Sequence, residues 1–222
     1  MENRLNFKNE LVDKLKIGAV IFDKVKVEPE IAGVNSQIDK LAAQLQSEFT
    51  VPSAARNLFA TMRRVYQQLG IDPTKTRPSS EALIRRALQG KTIYRINSIV
   101  DICNYCSMYF GLSIGLYDVD KISGETIEIR LGQNGEGYAG IGKQYVNLEA
   151  RIALVDRQGA FGNPSSDSDR TKITLESNRI MFIIFAAFDY EQTKMQDHLD
   201  FVESTVKQYH TCQTEFKEII TG

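Results

Sequence analysis

The chain has 222 residues, is 42% hydrophobic and 25% charged, and carries a net charge of −1. At this size a chain buries roughly 70% of its unfolded surface, so it needs neither metal nor disulfide to fold. Three cysteines without framework spacing argue against a disulfide scaffold and for a reducing compartment, while the longest apolar run, Ile180 to Phe188, is far short of the ~20 residues that span a bilayer.

The polar N-terminus, Met1 to Lys8, lacks the apolar stretch of a signal peptide, so a soluble cytoplasmic protein with no membrane contact is expected. Residues 10–16 read as a short helix. Ile17 to Val27 reads as a strand, because valine and isoleucine dominate it. Amphipathic helices are predicted over about Ser36–Phe49 and Ser53–Leu69, the second closed by Gly70 and stopped by Pro73. Arg77-Pro78-Ser79-Ser80-Glu81 opens the next helix, with Ser79 or Ser80 as N-cap and Gly90 at its end. Asn97 or Ser98 caps a helix over about Ile99–Phe110, which Gly111 closes.

From Leu112 the rhythm changes. Short runs at Ser113–Tyr117, Glu125–Leu131, Tyr145–Leu148 and Arg151–Asp156 alternate with Gly, Asn and Asp clusters, the pattern of a β-rich half. Gly159 to Arg170 reads as a polar, mobile loop, Ile180–Phe188 as a buried strand with a helix as the alternative, and Glu191 to about Ile220 as a long amphipathic helix. Helices, then strands, then a helix give an α+β fold. Residues 1–76 form an N-terminal strand and helical region packed on a core made by residues 77–222.

Four groups of residues are candidates for chemistry. Cys103 and Cys106 form a C-x-x-C, but no second pair exists to complete a zinc site and the thiols fall mid-helix. Two small apolar residues on one helical face are expected, with no metal. His198 and His210 lie twelve positions apart, too far for one site, and are read as surface histidines. The glycines of Gly132 to Gly142 lack the Lys-Ser/Thr of a phosphate loop, and turn chemistry explains them. From Pro52 to Arg95, nine basic residues face two acidic ones, and Arg63, Arg64, Arg77, Arg85, Arg86 and Lys91 are the candidate RNA contacts.

Ile96-Asn97-Ser98-Ile99-Val100-Asp101-Ile102-Cys103-Asn104-Tyr105 resembles the I-N-N-x-V-D-x-T-N-Y signature of the tRNA-editing domain, the B3/B4 region, of the phenylalanyl-tRNA synthetase β subunit. Tyr117-Asp118-Val119-Asp120-Lys121-Ile122-Ser123-Gly124 is similar to that family's F-D-x-D-K-I/L-x-G, and Ile127–Arg130 with Gly135-Glu136 to its I-x-V-R…G-E. Order and spacing hold over about Arg77 to Ser177. The resemblance implies a layered B3/B4-type fold and a pocket for an aminoacyl group. It also implies hydrolysis of tyrosine wrongly attached to phenylalanine tRNA, without a cofactor.

Two departures from the family pattern stand out. The family's histidine before its A-F-D is matched here by Gly115 or, shifted by one, Leu116. Its Gly-Gly-Glu is matched by Phe161-Gly162-Asn163-Pro164, with no glutamate. The expectation is therefore a tRNA-related binding domain that either hydrolyses mischarged aminoacyl-tRNA in trans or binds an amino-acid-like small ligand without turnover. Asn97, Asp101 and Asn104, at i, i+4 and i+7, share a helical face and either line the pocket or hold the neighbouring loop. Gly115, Tyr117, Asp167, Asp169 and Arg170 complete the expected pocket, with Asp118 as the catalytic candidate.

Overall fold

The computed structural model describes residues 4–8, 10–49 and 54–222. The elements in chain order are β1 (Arg4–Phe7), β2 (Leu15–Asp23), α1 (Ala32–Glu48), a 3-10 turn (Ala54–Phe59), α2 (Ala60–Gln68), α3 (Ser79–Leu88), α4 (Ser98–Phe110) and β3 (Ile114–Asp118). They continue with β4 (Thr126–Leu131), β5 (Gly137–Gly140), β6 (Lys143–Asn147), β7 (Ile152–Asp156), β8 (Gly159–Gly162), β9 (Ile180–Ala187), α5 (Gln192–Tyr209) and β10 (Gln213–Thr221). Among the described residues, five α-helices and ten strands in mixed sheets make the fold α+β, as the sequence pattern implies.

The central sheet has the order β10-β2-β9-β3 and is antiparallel throughout. Its inner strands, β2 and β9, are apolar on both faces because both faces are covered. Val20 and Phe22 of β2, with Phe182 and Ile184 of β9, join the core beneath α1, α4 and α5. Ile17, Ala19 and Ile21, with Met181, Ile183 and Phe185, join a second core shared with α2 and the sheet β1-β4-β7-β8. In that sheet β1 runs parallel to β4, so residues from the chain's start pair with Thr126–Ile129. The hairpin β5-β6 stands beside it.

Several sequence expectations need correction. Glu10 to Lys14 is a series of turns, not a helix, and β2 begins at Leu15. That strand ends at Asp23, where Lys24 takes a positive φ of 61°. Helix α1 begins one turn earlier than Ser36, at Ala32. The expected start of the next helix, Ser53, lies outside the described residues. Neither Ser79 nor Ser80 caps α3 through its side chain; Pro78 occupies the N-cap position, and Ser79 donates its N–H to the Pro164 carbonyl at 2.9 Å. By contrast, Asn97 does cap α4, accepting from the Val100 N–H, and Gly111 ends that helix at φ 69°.

The largest correction is at the C-terminus. Helix α5 stops at Tyr209 and the chain returns as β10, antiparallel to β2 along its length. Apolar residues in Gln213–Thr221 match a helical stripe and a half-buried edge strand about equally well, and the open edge of β2 decides for the strand. The segment 159–170 is not a loose loop. It contains β8, and its remainder is tied down by Ser168 N to Phe161 O at 3.0 Å, Asp169 N to Ala139 O at 2.8 Å and Ile141 N to Asp167 O at 3.1 Å. Among the described residues no helix is long and apolar enough to cross a membrane.

Candidate functional site

A cavity of about 490 Å³ opens between α3, α4, the edge strand β3 and the segment following β8. Its walls are apolar, formed chiefly by Leu83, Val100, Ile114, Leu116, Ile141 and Ile173. The polar residues that line it are Ser79 from α3, Asn104 and Ser107 from α4, Asn163, Ser165, Ser166 and Asp167 from the segment after β8, and Lys172. A mostly apolar hollow with a few convergent polar groups is the usual form of a small-ligand site.

Asp167 is the acidic group of its lining. Strand β3 is the free edge of the central sheet, and the Asp167 carboxylate lies along that edge. Its Oδ2 accepts the Leu116 N–H at 3.4 Å, and its Oδ1 accepts the Tyr117 hydroxyl at 2.7 Å. Burial pushes its pKa from 3.8 up to about 7, and the bonds from Tyr117 and Leu116 only partly oppose that rise. Burial and the neighbouring Asp167 charge together push the Tyr117 phenol well above its ordinary value, so it stays a donor.

Tyr117 can occupy this position because two residues beside it lack side chains. A Cβ on Gly115 would lie 2.1 Å from its hydroxyl oxygen, and one on Gly162 would lie 2.2 Å from the same atom. Phe161 meets the ring edge-on at a centroid distance of 5.0 Å. The departure at Gly115 is thus part of how the Tyr117–Asp167 pair is seated.

Asn163 holds the segment that carries Asp167. Its Oδ1 accepts the N–H groups of Ser165 at 2.7 Å and Ser166 at 3.0 Å, and its Nδ2 donates to the Tyr138 hydroxyl at 2.8 Å. The Tyr66 and Ser165 hydroxyls bond at 2.8 Å. Asp167 therefore arrives on a braced turn. The missing glutamate of Phe161–Pro164 does not leave the cavity without a carboxylate, because Asp167 delivers one five residues past Gly162.

The structure divides the remaining sequence candidates. Asn104 lines the cavity, but Asn97 and Asp101 do not. Asn97 caps α4, and Asp101, 1% exposed, accepts the Ile96 N–H at 3.0 Å, so both hold the entry to the helix. Asp118 also lies off the cavity. Its carboxylate accepts the Ser177 hydroxyl at 2.6 Å and the Asp120 N–H at 3.2 Å, and pairs with Lys121 at 3.0 Å. Arg170 forks onto Asp156, with Nη1 and Nη2 donating at 2.8 and 3.0 Å, and Asp169 pairs with Lys172 at 2.7 Å.

The basic residues separate as well. Arg63 turns inward and donates through Nη1 to both oxygens of Glu81, at 2.8 and 3.0 Å, and Arg64 pairs with Asp189 at 2.5 Å. Arg77, Arg85, Arg86 and Lys91 instead line a surface cleft on α3.

Neither histidine lies at the cavity; His198 is half-buried on α5, and His210, expected at the surface, is buried. His198 stacks on Phe110 at 4.0 Å and its Nε2 meets the Tyr190 hydroxyl at 2.8 Å, while His210 is 6% exposed with Nδ1 3.0 Å from the Lys26 carbonyl. Cys103 and Cys106 are buried, burial raises both thiols, and among the described residues no group of side chains is arranged to hold a metal.

Sequence reasoning missed Leu83, Ile141, Lys172 and Ile173. These come from three separate segments, and only Leu116, one position from the expected Gly115, hinted at the apolar wall.

Comparison with known proteins follows the same geometry. The phenylalanine–tRNA ligase beta subunit of Streptococcus mutans is 27% identical over 159 residues, covering 68% of this chain and 18% of its own. The corresponding subunit of Neisseria gonorrhoeae is 30% identical over 116 residues, covering 48% of this chain and 15% of its own. The chain thus spans under a fifth of the length of these relatives. An N-terminal fragment of the phenylalanyl-tRNA synthetase beta subunit from Pyrococcus horikoshii superposes with a TM-score of 0.52 at 12% identity, covering all of this chain and 55% of the fragment, a likeness of fold. The sequence profile of the B3/4 domain runs from residue 61 to residue 208, through the helices and strands that enclose the cavity, and the chain belongs to that family.

Proposed function

We propose that the chain binds the aminoacyl group of a charged tRNA in the cavity beside Asp167, and hydrolyses the ester slowly in trans. The observation that carries this reading is the Asp167 carboxylate on a braced turn, facing a mostly apolar hollow of about 490 Å³, where burial raises its pKa to about 7. The hollow suits a large apolar or aromatic side chain. Ionised, Asp167 attracts the α-ammonium of an aminoacyl ester. A carboxylate with a pKa near the working pH also accepts a proton from an attacking water, which is what a general base must do. The relatives' names, which specify phenylalanine and tRNA, support an aminoacyl-tRNA as the ligand.

In this reading Asp167 takes the role that the sequence assigned to Asp118, since Asp167 lines the cavity and Asp118 lies off it, held by Ser177, Asp120 and Lys121. A single base without the family's histidine and glutamate keeps turnover low.

The test follows binding of tyrosylated phenylalanine tRNA and loss of its ester together. Asp167→Asn is expected to weaken binding and to slow hydrolysis by about 10²-fold, whereas Asp118→Asn alters only stability. Hydrolysis that survives Asp167→Asn but is abolished by Asp118→Asn would overturn this assignment. A second reading, a non-catalytic module for a free amino acid, is favoured by the absence of a histidine at the cavity among the described residues. Equal affinity for free tyrosine and for its tRNA ester, with no turnover, would establish it.

A further inference from the structure

Helix α3 separates the cavity from a second hollow of about 380 Å³, and Leu83 lines both. This cleft is lined by Arg77, Arg85, Arg86 and Lys91, with Tyr94 at its side and no carboxylate among its lining residues. We infer that it is a phosphate subsite, so that the ligand is an amino acid esterified to a ribonucleotide whose phosphate occupies the cleft. The aminoacyl half of this inference rests on the reading above; the phosphate half stands on the cleft alone.

Two of the cations, Arg85 and Arg86, are held in place before any ligand arrives. Glu81 lies fully buried beneath the cleft and accepts Arg85 Nε at 2.7 Å in addition to the Arg63 contacts, with Arg77 Nε at 3.7 Å. One carboxylate thus faces three guanidinium groups, which leaves surplus positive charge at the surface. Arg86 donates Nε to the Thr92 carbonyl at 2.6 Å, and its guanidinium carbon lies 4.0 Å from the centre of the Tyr94 ring. Among the described residues no bond occupies its Nη groups; the Lys91 N–H donates to the Arg86 carbonyl at 3.1 Å, and its ammonium makes neither an ion pair nor a hydrogen bond. Anchored arginines lose little side-chain freedom on binding, and their planar fork matches phosphate oxygens.

Tyr94 and Ile96 are each 59% exposed, and the short segment that carries them runs from the cleft to the mouth of the cavity. Large exposed apolar groups between a basic cleft and an apolar hollow fit a stacked base, because every base presents a π-face to an aromatic ring.

The experiment measures binding of the full chain to three probes at low and at physiological salt: 3′-tyrosylamido-adenosine, the 3′-tyrosylamide of a short RNA trinucleotide, and inorganic pyrophosphate. The trinucleotide amide is expected to bind more tightly than the nucleoside amide. That advantage should shrink with salt at a log–log slope of about −0.7 per phosphate contacted. Arg86→Gln and Lys91→Gln, separately, should lower trinucleotide affinity toward that of the nucleoside and should weaken pyrophosphate binding. Equal binding of the two amides, or an advantage that survives both substitutions, overturns the subsite. Pyrophosphate held through Arg86 and Lys91 while neither amide binds would uphold the subsite and sink the aminoacyl reading.

Discussion

Asp167→Asn should make this protein more stable at neutral pH while impairing its site. The carboxyl pKa rises from 3.8 to about 7 on folding because burial disfavours the charged form. The folded state therefore binds this proton more tightly than the unfolded chain does. Its contribution to stability is complete below about pH 3.8, and is lost as pH climbs toward 7. At ~1.36 kcal/mol per unit, the shift corresponds to about 4 kcal/mol, a large fraction of the ~5–15 kcal/mol that holds a typical domain together. Asparagine keeps the shape and still accepts from Tyr117, but it cannot ionise. Urea denaturation of both proteins from pH 4 to pH 8 isolates the effect, since every other titrating group is common to the pair. The variant should match the parent near pH 4 and exceed it by up to about 4 kcal/mol at pH 8. A difference independent of pH, or a parent more stable at pH 8, would refute the reasoning that Asp167 is held against its solvation.

Other substitutions test the parts around it. Glu81→Gln removes the buried carboxylate that anchors Arg63 and Arg85, and should cost about 2–3 kcal/mol, read as a drop in denaturation midpoint at unchanged slope. Gly115→Ala places a methyl 2.1 Å from the Tyr117 hydroxyl oxygen; displacement of the ring should cost roughly 1–3 kcal/mol and weaken ligand binding, and an undiminished affinity would show that Tyr117 does not position Asp167. Cys103→Ala and Cys106→Ala should each cost about 1 kcal/mol through small cavities. In the folded protein a disulfide reagent at pH 8 should modify Cys212 ahead of both, because those two thiols are buried and raised.

Much of this architecture is written in local pattern. Asn97 before an apolar helix and Gly111 after it set both ends of α4, because cap hydrogen bonds and a left-handed residue are requirements of a few consecutive positions. The unbroken apolar run of β9 announced a buried element, whose isoleucines and phenylalanines favoured a strand over a helix, and the motifs around Asn97 and Asp118 announced the family. Tertiary structure alone decided the rest. Gln213–Thr221 became β10 because β2 offered it an unpaired edge, and pairing between residues so far apart leaves no trace in local periodicity. Asp118 closes an apolar strand and Asp167 sits in a polar stretch when read along the chain, which would favour Asp118 as the desolvated carboxylate. Only packing gave one to Ser177 and Lys121 and left the other against an apolar cavity, where desolvation sets its pKa. The cavity takes walls from α3, α4, β3 and the turns beyond β8, and a volume enclosed by distant segments is a property of the folded chain.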